Sequence, residues 1–156
     1  MMNMHLYFFD LDDTITNTRK IVMEILQNNK TPEVSYHEFN KWMEEKINEY
    51  GVDNIPLLDN AIVSLLRKLL LEQPENVYYI TARSSSVRKD TILWLKHHKL
   101  WINDEQLIMD TEGVKGFTIS KILGNSPKEF AFLFDDLKAN HVEASKYSNI
   151  ISCLPF

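Results

Sequence analysis

Cysteine is nearly absent: Cys153 stands alone in a chain of 156 residues. An intramolecular disulfide is therefore excluded, as is a metal cage built from several thiolates. This suits a reducing, cytoplasmic compartment. Glycine is also scarce, with four in all, and no Gly-rich loop of the kind that cradles dinucleotides or nucleotide phosphates is present. No apolar run approaches the ~20 residues that span a bilayer. Leu6–Phe9 is too short, and too soon followed by acids, to form the apolar centre of a secretion signal. The segment Cys153-Leu154-Pro155-Phe156 has the bare form of a prenylation signal. Proline is a poor aliphatic residue there and no polybasic stretch precedes it, so no lipid anchor and no membrane partner are expected. Basic residues are outnumbered, 17 against 22 acidic, for a net charge of −5. They form no run, so a surface that neutralises a nucleic-acid backbone is not favoured. A local basic pocket for a small phosphate ligand remains compatible with this balance.

What the chain does have is alternation. Short runs rich in aromatic and β-branched residues occur at His5–Phe9, Val77–Ile80, Gln106–Met109, Ala131–Phe134 and Asn149–Ser152. Their length and composition predict buried strands. Amphipathic stretches separate them. Asp59 is placed to cap a helix with Ile62, Leu65, Leu66, Leu69 and Leu70 on one face. Ser84 is placed to cap another carrying Val87, Thr91, Trp94 and Leu95, and helical patterns follow at Val114–Leu123 and Leu137–Lys146. The prediction is an α/β fold, a Rossmann-like parallel sheet with helices on both faces. From about Arg19 to Ile55 two helical patterns follow each other with no strand between them. Phe39, Trp42, Met43, Ile47 and Tyr50 share one face there, and Gly51 is placed to end that helix. This reads as a small helical cap insertion after the first strand, within a single domain spanning residues 1–156. Its aromatic face reads as a packing surface.

Chemistry concentrates where strands end. Leu6-Tyr7-Phe8-Phe9 is followed at once by Asp10, Asp12 and Asp13. An ionised acid buried without a partner is costly, so these carboxylates belong at the strand's tip, where open α/β sheets place their ligands. Asp10 and Asp12 are two apart and face one site if the extended conformation persists. The run Ala131-Phe132-Leu133-Phe134 repeats the design and ends in Asp135-Asp136. If the two strands are neighbours, their acids converge, and crowded carboxylates are relieved by a hard divalent cation. Magnesium usually takes one or two carboxylates along with water and phosphate oxygens. Val77–Ile80 ends in Thr81-Ala82-Arg83, where a hydroxyl can donate to a phosphoryl oxygen. Lys115-Gly116 opens a helical pattern ahead of Asp135 and can supply an ammonium.

These pieces resemble, in order, the motifs of the haloacid dehalogenase-like superfamily. Its first motif, Asp-x-Asp-x-Thr after an apolar strand, matches Asp10-Leu11-Asp12-Asp13-Thr14. A strand-ending hydroxyl matches Thr81, and a lysine near a helix start matches Lys115, with Lys121 as the fallback. An acidic pair after a strand matches Asp135-Asp136, followed by Asn140. The resemblance implies a magnesium-dependent phosphomonoester hydrolase working through an aspartyl-phosphate. Asp10 would be the nucleophile and Asp12 the acid and base, with Thr81 and Lys115 stabilising the phosphoryl charge. Asp10, Asp12, Asp135 and Asp136 would form the metal site. Within this family an Asp at the Asp12 position marks phosphatases, whereas transport ATPases carry Thr there. The acid role requires an environment that raises the Asp12 pKa above ~3.9. Asp13 stands where the family often has Gly, which departs from the usual turn.

The expected substrate is a small phosphorylated metabolite or nucleotide. A polynucleotide end is the alternative, and an exposed basic stripe (Arg83, Arg88, Lys89) would guide either. Two other readings compete. A signalling receiver domain also gathers acids, a Thr and a Lys around magnesium, and would require Asp110, after Ile108-Met109, to join the cluster. A non-catalytic phosphate-binding module on the same scaffold would lack turnover.

Overall fold

The structure is a computed structural model describing residues 4–124 and 129–154. Its frame is a five-stranded parallel sheet in the order β3-β2-β1-β4-β5. The strands are β1 (Met4–Phe9), β2 (Val77–Thr81), β3 (Leu107–Met109), β4 (Glu129–Phe134) and β5 (Ile150–Cys153). All five lie where the apolar runs predict, within two residues at each end. The helices are α1 (Thr18–Asn28), α2 (Tyr36–Tyr50), α3 (Ala61–Glu72), α4 (Arg88–His97), α5 (Lys115–Leu123) and α6 (Lys138–Ala144). Pro155 and Phe156, half of the tetrapeptide with the prenylation form, lie outside the described residues.

Side chains alternate across β1 because successive residues of a strand point to opposite faces. Phe9 joins a buried cluster with residues of α1 to α4, among them Ile21, Met43, Leu66 and Trp94. Leu6 and Phe8 join a second cluster with Ile119, Leu123 and Ala144 of α5 and α6. Helices therefore cover both faces, as the doubly apolar strands require. Stacked aromatic pairs help fix the register: Phe9 lies on Phe134 with ring centroids 4.7 Å apart, and Phe8 on Tyr78 at 4.9 Å.

The two helices after β1 replace the strand that the rhythm would otherwise place there. Ile21, Ile25 and Met43 belong to the same buried cluster as Phe9 and Phe134, with Phe39, Trp42, Ile47 and Tyr50 packed against it. The aromatic face is thus a packing surface. Gly51 ends α2 at φ 95°, a conformation costly for a side-chain-bearing residue. Two caps differ from expectation. Asn60, not Asp59, caps α3, its side chain accepting from Val63 N at 2.9 Å. Ser84 caps a short 3-10 turn at Ser85–Val87, and α4 starts only at Arg88.

Candidate active site

The site follows from strand register. Phe9 pairs with Phe134 across β1 and β4, so the next residues, Asp10 and Asp135, leave the sheet side by side. Asp10 N donates to Phe134 O at 2.9 Å and holds the two tips together. Asp10, Asp135 and Asp136 each offer a carboxylate oxygen, all within 4.8 Å of one another. Lys115 reaches in from the first residue of α5, its Nζ 2.8 Å from Asp10 Oδ1 and 2.7 Å from Asp135 Oδ2. Lys115 is 1% exposed, Asp135 fully buried and Asp10 6% exposed. Lys121, the fallback, instead lies over the Phe117 ring.

Beyond Asp10 the chain folds back on itself. Leu11 O accepts from the N–H groups of Thr14, Ile15 and Thr16. Asp13 sits at φ 63°, the left-handed region that Gly enters freely and Asp tolerates better than most residues. Its Oδ1 accepts from Arg19 N at 2.8 Å, in the first turn of α1. The turn that Gly usually makes is therefore made here by an Asp whose side chain also satisfies a helix terminus.

Three carboxylates around one ammonium leave an excess of negative charge. Burial pushes the Asp10 pKa from its ordinary 3.8 up to about 8, with Asp135 adding to the rise and Lys115 opposing it. Burial works against the charge on Lys115, yet Asp10 and Asp135 lift its pKa above the ordinary value. The lysine stays charged and the cluster favours gaining positive charge.

Asp12 departs from expectation. Regular strand ends at Phe9, and Asp12 stands in the turn that follows, paired with Arg83 and still within the electrostatic reach of Lys115. Both its oxygens are held by Arg83, Oδ2 by Nε at 3.0 Å and Oδ1 by Nη2 at 2.6 Å, and Thr18 Oγ1 donates to Oδ1 at 2.6 Å. Burial would raise its pKa, but the contacts with Arg83, joined by Thr18 and the Lys115 charge, outweigh burial and hold the carboxyl below its ordinary range. The expected upward shift is thus corrected, and Asp12 is not among the three clustered carboxylates. Of the basic stripe, two residues make internal contacts while Lys89 is exposed. Arg83 is committed to Asp12, and Arg88 donates to the Leu107 and Asp104 carbonyls.

Thr81 is buried at the tip of β2, where its Oγ1 accepts from Arg83 N at 3.2 Å. Asn140 donates to Asp135 Oδ2 at 2.9 Å and helps orient it. Asp110 ends the edge strand β3, lies outside the acidic cluster and is within 3.4 Å of Thr118 Oγ1. That placement removes the receiver-domain reading.

Sequence reasoning assigned no role to two residues that shape the site. Thr14 is fully buried, donates to Asp10 Oδ2 at 3.0 Å and accepts from Asp136 N at 3.1 Å, so one hydroxyl joins both strand tips. Its position four after Asp10 was the available signal. Glu143 accepts from Gly116 N at 2.6 Å and lies 3.3 Å from Phe117 N. It thereby caps the start of α5, next to Lys115. No sequence signal marked it, because its partners are 27 and 26 residues away.

The donor set suits a hard cation. Asp10, Asp135 and Asp136 present oxygens only, Thr14 and Asn140 hold their orientation, and a single ammonium balances part of the charge. Carboxylate oxygens in such a group fit magnesium better than a thiophilic metal. Among the described residues no helix is long and apolar enough to cross a membrane.

Neither a family model nor a curated protein matches the chain. Solved structures do. A HAD hydrolase of family IA, variant 3, from Entamoeba histolytica HM-1:IMSS aligns with 96% of this chain and 82% of that one, with a TM-score of 0.61 and 16% identity. The class C acid phosphatase from Bacillus anthracis aligns with 99% of this chain and 68% of that one, with a TM-score of 0.60 and 18% identity. A HAD-superfamily hydrolase of subfamily IA, variant 1, from Geobacter sulfurreducens PCA aligns over 97% and 89%, with a TM-score of 0.54 and 14% identity. At these identities the likeness is one of fold: the chain has the fold of HAD-superfamily hydrolases.

Proposed function

From that fold and this carboxylate cluster, we propose that the chain is a magnesium-dependent phosphomonoester hydrolase working through an aspartyl-phosphate. One observation carries the reading. Asp10, Asp135 and Asp136 converge from the tips of two adjacent strands, with the Lys115 ammonium between Asp10 and Asp135. Magnesium held by these three carboxylates would, together with the Lys115 ammonium, balance their charge and polarise the phosphoryl oxygens.

Asp10 attacks phosphorus, forming a P–O bond to its carboxylate as the bond to the leaving oxygen breaks. Lys115 screens the nucleophile from the incoming anion and, with the Thr81 hydroxyl, stabilises charge on the phosphoryl oxygens. Asp12 gives a proton to the leaving oxygen, then takes one from the water that attacks phosphorus and frees Asp10 and phosphate. Arg83 keeps Asp12 ionised in the free protein. The proton for the first half is therefore taken up when a dianionic phosphoryl group arrives and competes for Arg83.

A small phosphorylated molecule is the substrate class this supports. The net charge of −5 and the commitment of Arg83 and Arg88 to internal contacts leave little to attract a polynucleotide. The test is phosphate release from an aryl phosphate with magnesium, comparing wild type with Asp10→Asn. Wild type should turn over, and acid quenching should leave a phosphoryl group on the peptide that contains Asp10. Equal release by both proteins would overturn the proposal and favour a non-catalytic phosphate-binding module.

A further inference from the structure

A cavity of about 260 Å³ opens beside Asp12 and Arg83, between α1, α2 and α4. Its walls are largely apolar: Ile21, Met43, Ile55 and Trp94 line it and are buried. Its charges are unbalanced. Arg83 is the one lysine or arginine among the described lining residues, and its charge is paired with Asp12, with further donation to Thr91 Oγ1. Two further acids, Glu44 and Asp90, line the same space with no cationic partner among the described residues. The Glu44 contact is with the Ser86 hydroxyl, at 3.3 Å.

The proton relay in the proposed reaction lies at Asp12, so a cavity that includes Asp12 adjoins the oxygen that departs. We propose, resting on the phosphatase reading, that this cavity receives the leaving group. Its class is a single-ring aromatic or branched apolar alcohol that carries no negative charge. Size sets the first limit, because the volume falls below the ~300 Å³ lower bound of drug-sized pockets. Electrostatics sets the second. A carboxylate or second phosphate entering here would lose its hydration beside Glu44 and Asp90, with no cation among the described lining residues other than the Asp12-paired Arg83 to replace it. An ammonium would instead be attracted. Bisphosphorylated metabolites and polynucleotide ends are thereby disfavoured.

The test uses the wild-type chain with magnesium and three aryl esters that share a phenyl core. These are phenyl phosphate, 4-(aminomethyl)phenyl phosphate and 4-carboxyphenyl phosphate. The expected kcat/KM is at least about tenfold lower for the carboxylate than for phenyl phosphate, with the cationic ester equal to or better than phenyl. The double substitution Glu44→Gln, Asp90→Asn should shrink the gap between the charged esters. Equal or faster turnover of the carboxylate by wild type overturns the leaving-group assignment while leaving the phosphatase reading standing. If none of the three is hydrolysed, the phosphatase reading falls and this one with it.

Discussion

Replacing Asp10 with Asn tests the electrostatics of the site apart from its chemistry. In the metal-free protein the Asp10 carboxyl has its pKa pushed up to about 8 by burial, against an ordinary 3.8. The folded state therefore holds a proton that the unfolded chain releases, and across that window stability falls as pH rises. The contribution is fully present below about 4 and is gone once pH has passed about 8. The slope for one such proton is roughly 1.4 kcal/mol per pH unit. Asn cannot ionise and resembles the protonated acid in shape. Asp10→Asn should thus match wild type near pH 4 and exceed it by roughly 3 kcal/mol or more at pH 8. The assay is urea denaturation at several pH values in a chelator, read as the difference between the two proteins. Magnesium should raise the stability of wild type at pH 8, by mass action on the folded state, and should do far less for the variant. Catalysis moves the other way, with the variant losing at least about 10⁴-fold in kcat. Parallel stability curves for the two proteins across this range would refute the account of Asp10.

Three further outcomes follow from the same contacts. Lys115→Met leaves Asp10 and Asp135 buried without their cation, so the metal-free protein should lose about 3 kcal/mol or more in urea denaturation at pH 8. Arg83→Met removes the contacts that hold the Asp12 carboxyl low while burial remains, so the pH profile of kcat/KM should shift upward on its alkaline side. An unshifted profile would sever Arg83 from the acid role. Gly116→Ala would place a Cβ 2.7 Å from Ala144 Cα, a backbone atom that cannot turn away. The overpacking cost of ~1–3 kcal/mol should outweigh the helix-propensity gain of Ala over Gly, which is at most ~1 kcal/mol and smaller in this first turn of α5, giving a lower Tm.

The sheet was legible because its strands are apolar on both faces and stand out as short runs, with the acids marking where two of them stop. Asp10 and Asp135 were readable for the same reason: a carboxylate cannot continue a buried strand. The site lysine was not readable from its own surroundings. Lys115 and Lys121 sit in one short helix, and only the fold shows that the first faces the strand tips while the second lies over Phe117. The state of Asp12 was misjudged because its deciding partner, Arg83, lies 71 residues away. Burial alone would have raised the Asp12 pKa, and the contacts led by the long-range Arg83 ion pair, with Thr18 and Lys115 adding to it, reverse the sign. The cap at Asn60 rather than Asp59 shows the local limit. Both side chains can accept from a helix terminus, and the backbone geometry of one residue settles which does.

The central position of β1 has a consequence for biosynthesis. Its hydrogen-bonding neighbours begin only at Val77 and Glu129. During translation the sticky segment Tyr7-Phe8-Phe9 waits for its second neighbour on the order of ten seconds, at ~5–20 residues per second. Cellular holdases should therefore engage the emerging polypeptide at this early stretch. A ribosome-stalled fragment that stops short of Glu129 would carry Asp10 while lacking Asp135 and Asp136, so the three-carboxylate cluster forms late and all at once.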